Sequence, residues 1–253
     1  MSELLSIPAT GVVTAQLSLG AVAASLANQD TPGFGQPTVL VAEGAGAPGR
    51  SSTVTIGGVP APGLLGLDGG ALAISSPIAF TGTPHPSSDA TALALTGPGF
   101  FVVRTPSGQT AYTRAGLFAP DAQGLLTLPD GSTLEPPVIL PPNGTWHIGA
   151  DGTVTVLGRV VGHIPVAAFA NPGGLRSAGA SLWTPTAASG PAVLGIPGQA
   201  GLGQIRLGFV NGSGVSLATA FADLIAAQAQ YQANTDALRV GQQALAQLTS
   251  QPL

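Results

Sequence analysis

Residues 93–113 read Leu93-Ala94-Leu95-Thr96-Gly97-Pro98-Gly99-Phe100-Phe101-Val102-Val103-Arg104-Thr105-Pro106-Ser107-Gly108-Gln109-Thr110-Ala111-Tyr112-Thr113. Two short apolar runs of strand length flank Gly97-Pro98-Gly99. Pro106-Ser107-Gly108 then supplies the turn that returns the chain into Ala111-Tyr112-Thr113. Working outward, turn signals recur at Asp121-Ala122-Gln123-Gly124, Asp130-Gly131 and Asp151-Gly152. In each, an aspartate side chain can bond the backbone just ahead of a glycine, so turn chemistry accounts for these acids without catalysis. Regular turns between short apolar runs predict a compact all-β domain over residues 90–210.

The two ends differ from this body. Leu5, Val12, Leu19 and Leu26 recur every seven residues near the start, and Leu217, Leu224, Tyr231, Leu238 and Leu245 do so near the finish. Apolar residues at that spacing form a narrow seam along a helix, of the kind buried against another helix. The first helix is predicted over roughly Ala9 to Asn28, with Pro8 tolerated in a first turn and Thr31-Pro32-Gly33 as the stop. The last is predicted from an N-cap at Ser216 to about Thr249. Its second seam, Ala220, Ala227, Asn234, Gly241 and Leu248, is mostly small or polar, which permits close helix approach, and Asn234 is of the type that fixes register. An amphipathic helix lying on the chain's own β domain is the competing reading. Against it stands an outer face rich in Gln and poor in charge, as expected inside a larger bundle. The expected organisation is therefore mainly β with α-helical termini: residues 1–35 as helix and assembly motif, 36–89 as a Gly/Pro-rich connector, 90–210 as the β domain, and 211–253 as the C-terminal assembly helix.

Composition narrows the function. The 253 residues carry a net charge of −4, and all seven basic residues are Arg, with no run of like charge. A phosphate-backbone binder needs a basic footprint, so nucleic acid is excluded as a partner. Charged residues are only 7% of the chain, against a usual quarter, which fits either a surface covered by copies of itself or by neighbours or a compositional bias toward Gly, Ala and Pro. The absence of cysteine removes disulfides, thiolate metal sites and a Cys nucleophile together. The charge-free stretch from Leu4 to Gln29 is neither a signal peptide nor a membrane span. Glu3 precedes it instead of a basic residue, and Thr10, Thr14, Gln16 and Ser18 interrupt it.

No enzyme chemistry emerges. His85, His147 and His163 are scattered without metal-ligand spacing. Gly44-Ala45-Gly46-Ala47-Pro48-Gly49 satisfies a dinucleotide-binding pattern formally, but β-like residues follow where a helix should begin. Trp146 and Trp183 read as packing residues. No catalytic, cofactor-binding or metal-binding residue is assigned, and no cofactor is expected. A structural assembly protein and a secreted β-rich adhesin or passenger domain remain as readings, and paired terminal heptads favour the first.

Several segments in order resemble the rod and hook family of the bacterial flagellum. Leu26-Ala27-Asn28-Gln29-Asp30-Thr31-Pro32-Gly33-Phe34 is similar to the signature at which that family's first helix ends. Gly97 to Val103, Ala111 to Phe118, Asp121 to Leu126 and Ile148 to Val154 are similar to its core β motif. Gly208 to Leu217 and Leu224 to Asn234 are similar to its closing segment. Length and the spacing of the middle motifs are most like the distal rod branch, with the short rod branch second. The chain departs at Ala24 and Ser25, where Asn is common, and at Gly35, where a basic residue is.

The resemblance implies export through the flagellar type III gate without a cleaved signal, and a place in the periplasmic rod of the basal body. It also implies a helical homopolymer with terminal helices paired into an inner coiled-coil tube, and neighbouring rod, hook and surrounding ring proteins as partners. The assembly residues it implies are the two heptad seams together with Asn28, Thr31, Gly33, Phe34 and Asn234. Deleting the first 30 residues is expected to block export and assembly together. Immunoblots of periplasmic and basal-body fractions check this, and a truncated chain in the periplasm overturns the export expectation.

Overall fold

The computed structural model describes residues 3–36, 55–56, 59–60, 66–67, 70–71, 82–141 and 144–250. The Val39-Leu40-Val41 and Gly44 to Gly49 runs lie outside the described residues, as do the side chains of Leu5, Leu245 and Leu248. The chain divides into two compact units: Met1–Ala27, Pro37–Pro77 and Ser216–Leu253 make one, and Asn28–Gln36 with Ile78–Val215 make the other.

The second unit is built on the strand Phe100–Arg104. It pairs antiparallel with Thr110–Thr113 in the register Phe101 to Thr113, Val102 to Tyr112 and Val103 to Ala111. Its other edge is shared by Val166–Ala168, opposite Phe100 and Phe101, and by Thr133–Leu134, opposite Val103 and Arg104. The sheet grown from it has nine strands. Beside it stand a three-stranded meander, Trp146–Ile148, Thr153–Val156 and Arg159–His163, and two antiparallel pairs, Gln204–Leu207 with Leu93–Thr96 and Phe209–Asn211 with Pro84–Pro86.

The unbroken apolar run Phe100-Phe101-Val102-Val103 follows from burial on both faces, since a strand with one wet face would alternate. Phe101 and Val103 enter one core with Leu93, Phe118, Leu134 and Ile205, while Phe100 and Val102 enter another with Tyr112, Phe169 and Trp183. Rings meet edge to face in both, Phe101 with Phe118 at 5.4 Å and Tyr112 with Phe169 at 4.9 Å, the arrangement that the ring quadrupole favours. Burial, helped by the charge of Glu135, pushes the Tyr112 hydroxyl pKa up.

The aspartate turns form as their chemistry predicts. Asp121 Oδ1 accepts the backbone N–H of both Gln123 and Leu125 at 2.8 Å. Asp130 accepts from Ser132 N–H, and Asp151 from Thr153 N–H and Oγ1. The bonds from the Thr153 hydroxyl and N–H hold the Asp151 carboxyl below the usual carboxylate range.

In the first unit, helix α1 spans Glu3–Ala27 and helix α2 spans Leu217–Ser250. α2 begins where Ser216 predicts, and Ser216 Oγ accepts the N–H of Thr219 at 3.5 Å. α1 starts six residues before the expected Ala9. Pro8 therefore lies inside the helix, where it withholds a backbone N–H and its ring crowds the carbonyl four residues earlier.

Phe101 is fully buried on the central strand, so Phe101→Ala is expected to cost about 3–5 kcal/mol. Val160→Ala, at a side chain 61% exposed, is expected to stay within about 0.5 kcal/mol. Urea denaturation of the two variants checks the contrast.

Candidate assembly site

The segments that follow α1 and precede α2 in the chain belong to the β unit and bond to one another there. After α1 the backbone tightens through Thr31 N–H to Asn28 O at 3.1 Å and Phe34 N–H to Thr31 O at 3.2 Å. The Thr31 hydroxyl donates to Asn28 Oδ1 at 3.2 Å. Gly33 then donates its N–H to Asn211 O at 2.9 Å, and Gly214 donates to Phe34 O at 3.1 Å. The exit of α1 and the approach to α2 are thus stitched together. Gly33 is required twice over, by a φ of +67° and because a Cβ there would stand 2.2 Å from Ala115 N.

Asn211 carries the junction. It is 2% exposed, and its Oδ1 accepts the Leu95 N–H at 2.7 Å. Its Nδ2 donates to Leu95 O at 2.9 Å and to Gly82 O at 3.3 Å. One carboxamide thereby satisfies backbone groups of two other segments that would otherwise be buried unpaired. Arg114 lies alongside, with its Nε donating to Gly99 O at 2.9 Å, its second terminal nitrogen to Gly97 O, and its guanidinium 5.7 Å from the Phe100 ring centre. Burial pushes its pKa down, yet an arginine stays charged throughout the range in which proteins fold.

α1 and α2 pack against each other. On α2 the shielded positions are Ala220, Leu224, Ala227, Tyr231, Asn234, Leu238 and Gly241, alternating by four and three residues. The deepest are the small ones: Ala220 at 1% and Ala227 at 4% exposed, with Ala15 at 0% and Ser25 at 2% on α1. Gly11 lies against the Asn234 carboxamide. From Gly11 to Ala27 and from Asn234 back to Leu217 the helices cover similar lengths, about 24–26 Å. With the far ends held by the Asn211 junction, α1 and α2 run antiparallel.

The predicted assembly residues fall into three groups. Val12, Leu19, Leu26, Leu224, Tyr231, Asn234 and Leu238 are half-buried along the helices, and Leu217 is exposed. Asn28, Thr31, Gly33 and Phe34 converge at the junction. Leu5 and Leu245 lie in α1 and α2, with side chains outside the described residues. On α1 the bulky heptad residues are less buried than Ala15 and Ser25, and the close approach to α2 is at Gly11. Sequence reasoning missed Asn211 and Arg114 as site residues. His85, His147 and His163 occupy exposed strand positions, and no metal-holding group is found among the described residues. Trp183 is buried in the core, as its packing role requires. Among the described residues no helix is long and apolar enough to cross a membrane.

Residues 94–156, which hold the central strand and the meander's first two strands, match the family described as the flagellar hook protein FlgE/F/G D1 domain. Residues 206–251, which hold Asn211 and α2, match the flagellar basal body rod FlgEFG protein C-terminal family. The flagellar basal-body rod protein FlgG of Caulobacter vibrioides is 33% identical over 98% of both chains. This chain belongs to the flagellar rod and hook protein family. The FlgG of Bacillus subtilis is similar at 30% identity over 95% of this chain and 96% of its own. The flagellar hook protein FlgE of Salmonella typhimurium is 36% identical over 40% of this chain and 26% of its own.

Asn211→Ala would orphan the Leu95 N–H and two carbonyls, an expected cost of about 3 kcal/mol. Gly33→Ala is expected to cost at least as much, since backbone atoms block the new Cβ. Denaturant titration, together with limited proteolysis of the 28–36 segment, checks both.

Proposed function

We propose that this chain is a structural subunit of the flagellar basal-body rod, of the distal rod type, which polymerises helically through its terminal helices. The observation that carries the reading is on α2. While the seam toward α1 is shielded, Leu217, Phe221, Ile225 and Val240 remain 47%, 53%, 67% and 60% exposed. A helix with one apolar stripe used within the chain and another open to water is built to meet further helices. Neighbouring copies would cover the open stripe, giving an inner coiled-coil tube with the β units outside it. A repeated head-to-tail contact that does not close on itself yields an open filament, and a hollow one can transmit torque while later subunits pass through.

The near full-length likeness to FlgG proteins supports the remaining elements of the proposal. The subunit leaves the cytoplasm by the flagellar type III route without a cleaved signal and takes its place in the periplasmic rod. It contacts neighbouring rod and hook proteins, with the surrounding rings as a further neighbour. It performs no catalysis and takes no cofactor. The likeness to the hook protein over 40% of the chain keeps another axial position as the second reading.

Phe221→Asp with Ile225→Asp alters only the open stripe, so the β unit should stay folded while swimming is lost and the chain disappears from purified hook-basal bodies. Normal motility would overturn the polymer reading. Immunogold labelling along the axis separates the distal rod from the other axial positions.

A further inference from the structure

We propose that Gly11 and Asn234 form a register lock between α1 and α2, the Asn234 carboxamide seating in the notch left by the missing side chain of Gly11. This inference rests on the assembly reading above for its consequence, though its geometry stands within the chain. A Cβ at Gly11 would lie 2.4 Å from Asn234 Oδ1, 2.5 Å from Cγ and 2.7 Å from Nδ2. No methyl group fits there unless the amide moves. Its present orientation carries one hydrogen bond, Nδ2 to Gln230 O at 2.8 Å, which a displaced amide would have to give up.

The lock is selective because α1 offers no second notch on that face. A slip of one helical turn, about 5.4 Å, would bring Ile7, Pro8, Thr14 or Ala15 to Asn234, and each carries a side chain. The other glycine of α1 is Gly20, nine residues away and therefore about 180° around the helix. It is exposed, and a Cβ there would meet nothing within 4 Å. Gly11 is thus the one position in α1 that accepts Asn234 without displacement. A polar residue at a seam position sets register in helix pairs generally, and here the complementary partner is a single missing side chain. In a filament, one register per chain gives every subunit the same outward arrangement of Phe221 and Ile225, which a regular lattice requires.

The test uses the full chain with Gly11→Ala, Gly20→Ala, Asn234→Ala and the double variant Gly11→Ala/Asn234→Ala. Recovery in hook-basal bodies is read by immunoblot, and the thermal midpoint of the purified chain by its helical circular dichroism signal. Alanine is the better helix former at both glycines, so propensity alone predicts the same sign of effect for Gly11→Ala and Gly20→Ala. The lock predicts opposite behaviour. Gly20→Ala should melt no lower than wild type and assemble normally. Gly11→Ala should melt lower and lose about tenfold or more of its recovery, as expected of overpacking at a close contact. Asn234→Ala, which leaves a gap in place of a clash, should lose less. The double variant should return to within about twofold of Asn234→Ala.

Wild-type behaviour of Gly11→Ala, or a double variant as defective as Gly11→Ala, overturns the lock. A wild-type chain missing from basal bodies overturns the rod reading instead, and the melting order then decides the lock alone.

Discussion

The buried carboxamide of Asn211 is the interaction on which the rest of the structure depends. It bonds three backbone groups of other segments, and the backbone carbonyl of the same residue accepts the Gly33 N–H. A buried amide is costly when unsatisfied and strongly directional when satisfied, so this residue admits only one arrangement of the strands around it. The segment that follows α1 and the segment that precedes α2 are thereby bonded to each other within the β unit, through Gly33 to Asn211 and Gly214 to Phe34.

The β unit achieves stability with little charge and few aromatics by concentrating what it has on one strand. Phe100–Arg104 is covered on both faces and bonded along both edges. Four of the eight phenylalanines, Phe100, Phe101, Phe118 and Phe169, meet other rings in these two cores. Arg114 spends a scarce charge on holding the carbonyls of Gly97 and Gly99, the turn that delivers the chain into that strand. Outside these points the unit relies on short side-chain bonds to backbone, such as those of Asp121, Asp130 and Asp151. These fix turns without needing long charged side chains at the surface.

What the sequence disclosed follows the range of each interaction. Phe100-Phe101-Val102-Val103 and the Asp-led turns were legible because strand burial and turn closure act over a few residues. The start of α2 at Ser216 was legible for the same reason. Asn211 was not, since the group it satisfies at Leu95 is 116 residues away and locally it reads as an Asn-Gly turn. Arg114 hid similarly, because nothing in the residues around it marks the glycine carbonyls it reaches. In α1 the heptad count identified the helix but ranked its residues by bulk. The tightest approach ranks them the other way, through Gly11, Ala15 and Ser25. The early start of α1 is hidden because Pro8, with no N–H to donate and a ring that crowds the preceding turn, marks a boundary locally, yet the helix runs through it.

This inverted ranking has an energetic consequence. Contacts between alanines, serines and glycine bury little apolar area, and each methyl group contributes only about 0.8 kcal/mol. Burying Leu or Phe fully contributes about 1.5–3 kcal/mol. The chain's own helix pair therefore uses the weaker contacts, gaining close approach and a defined register more than stability. The larger gains, at Leu217, Phe221 and Ile225, stay open within the single chain and become available only when another surface arrives.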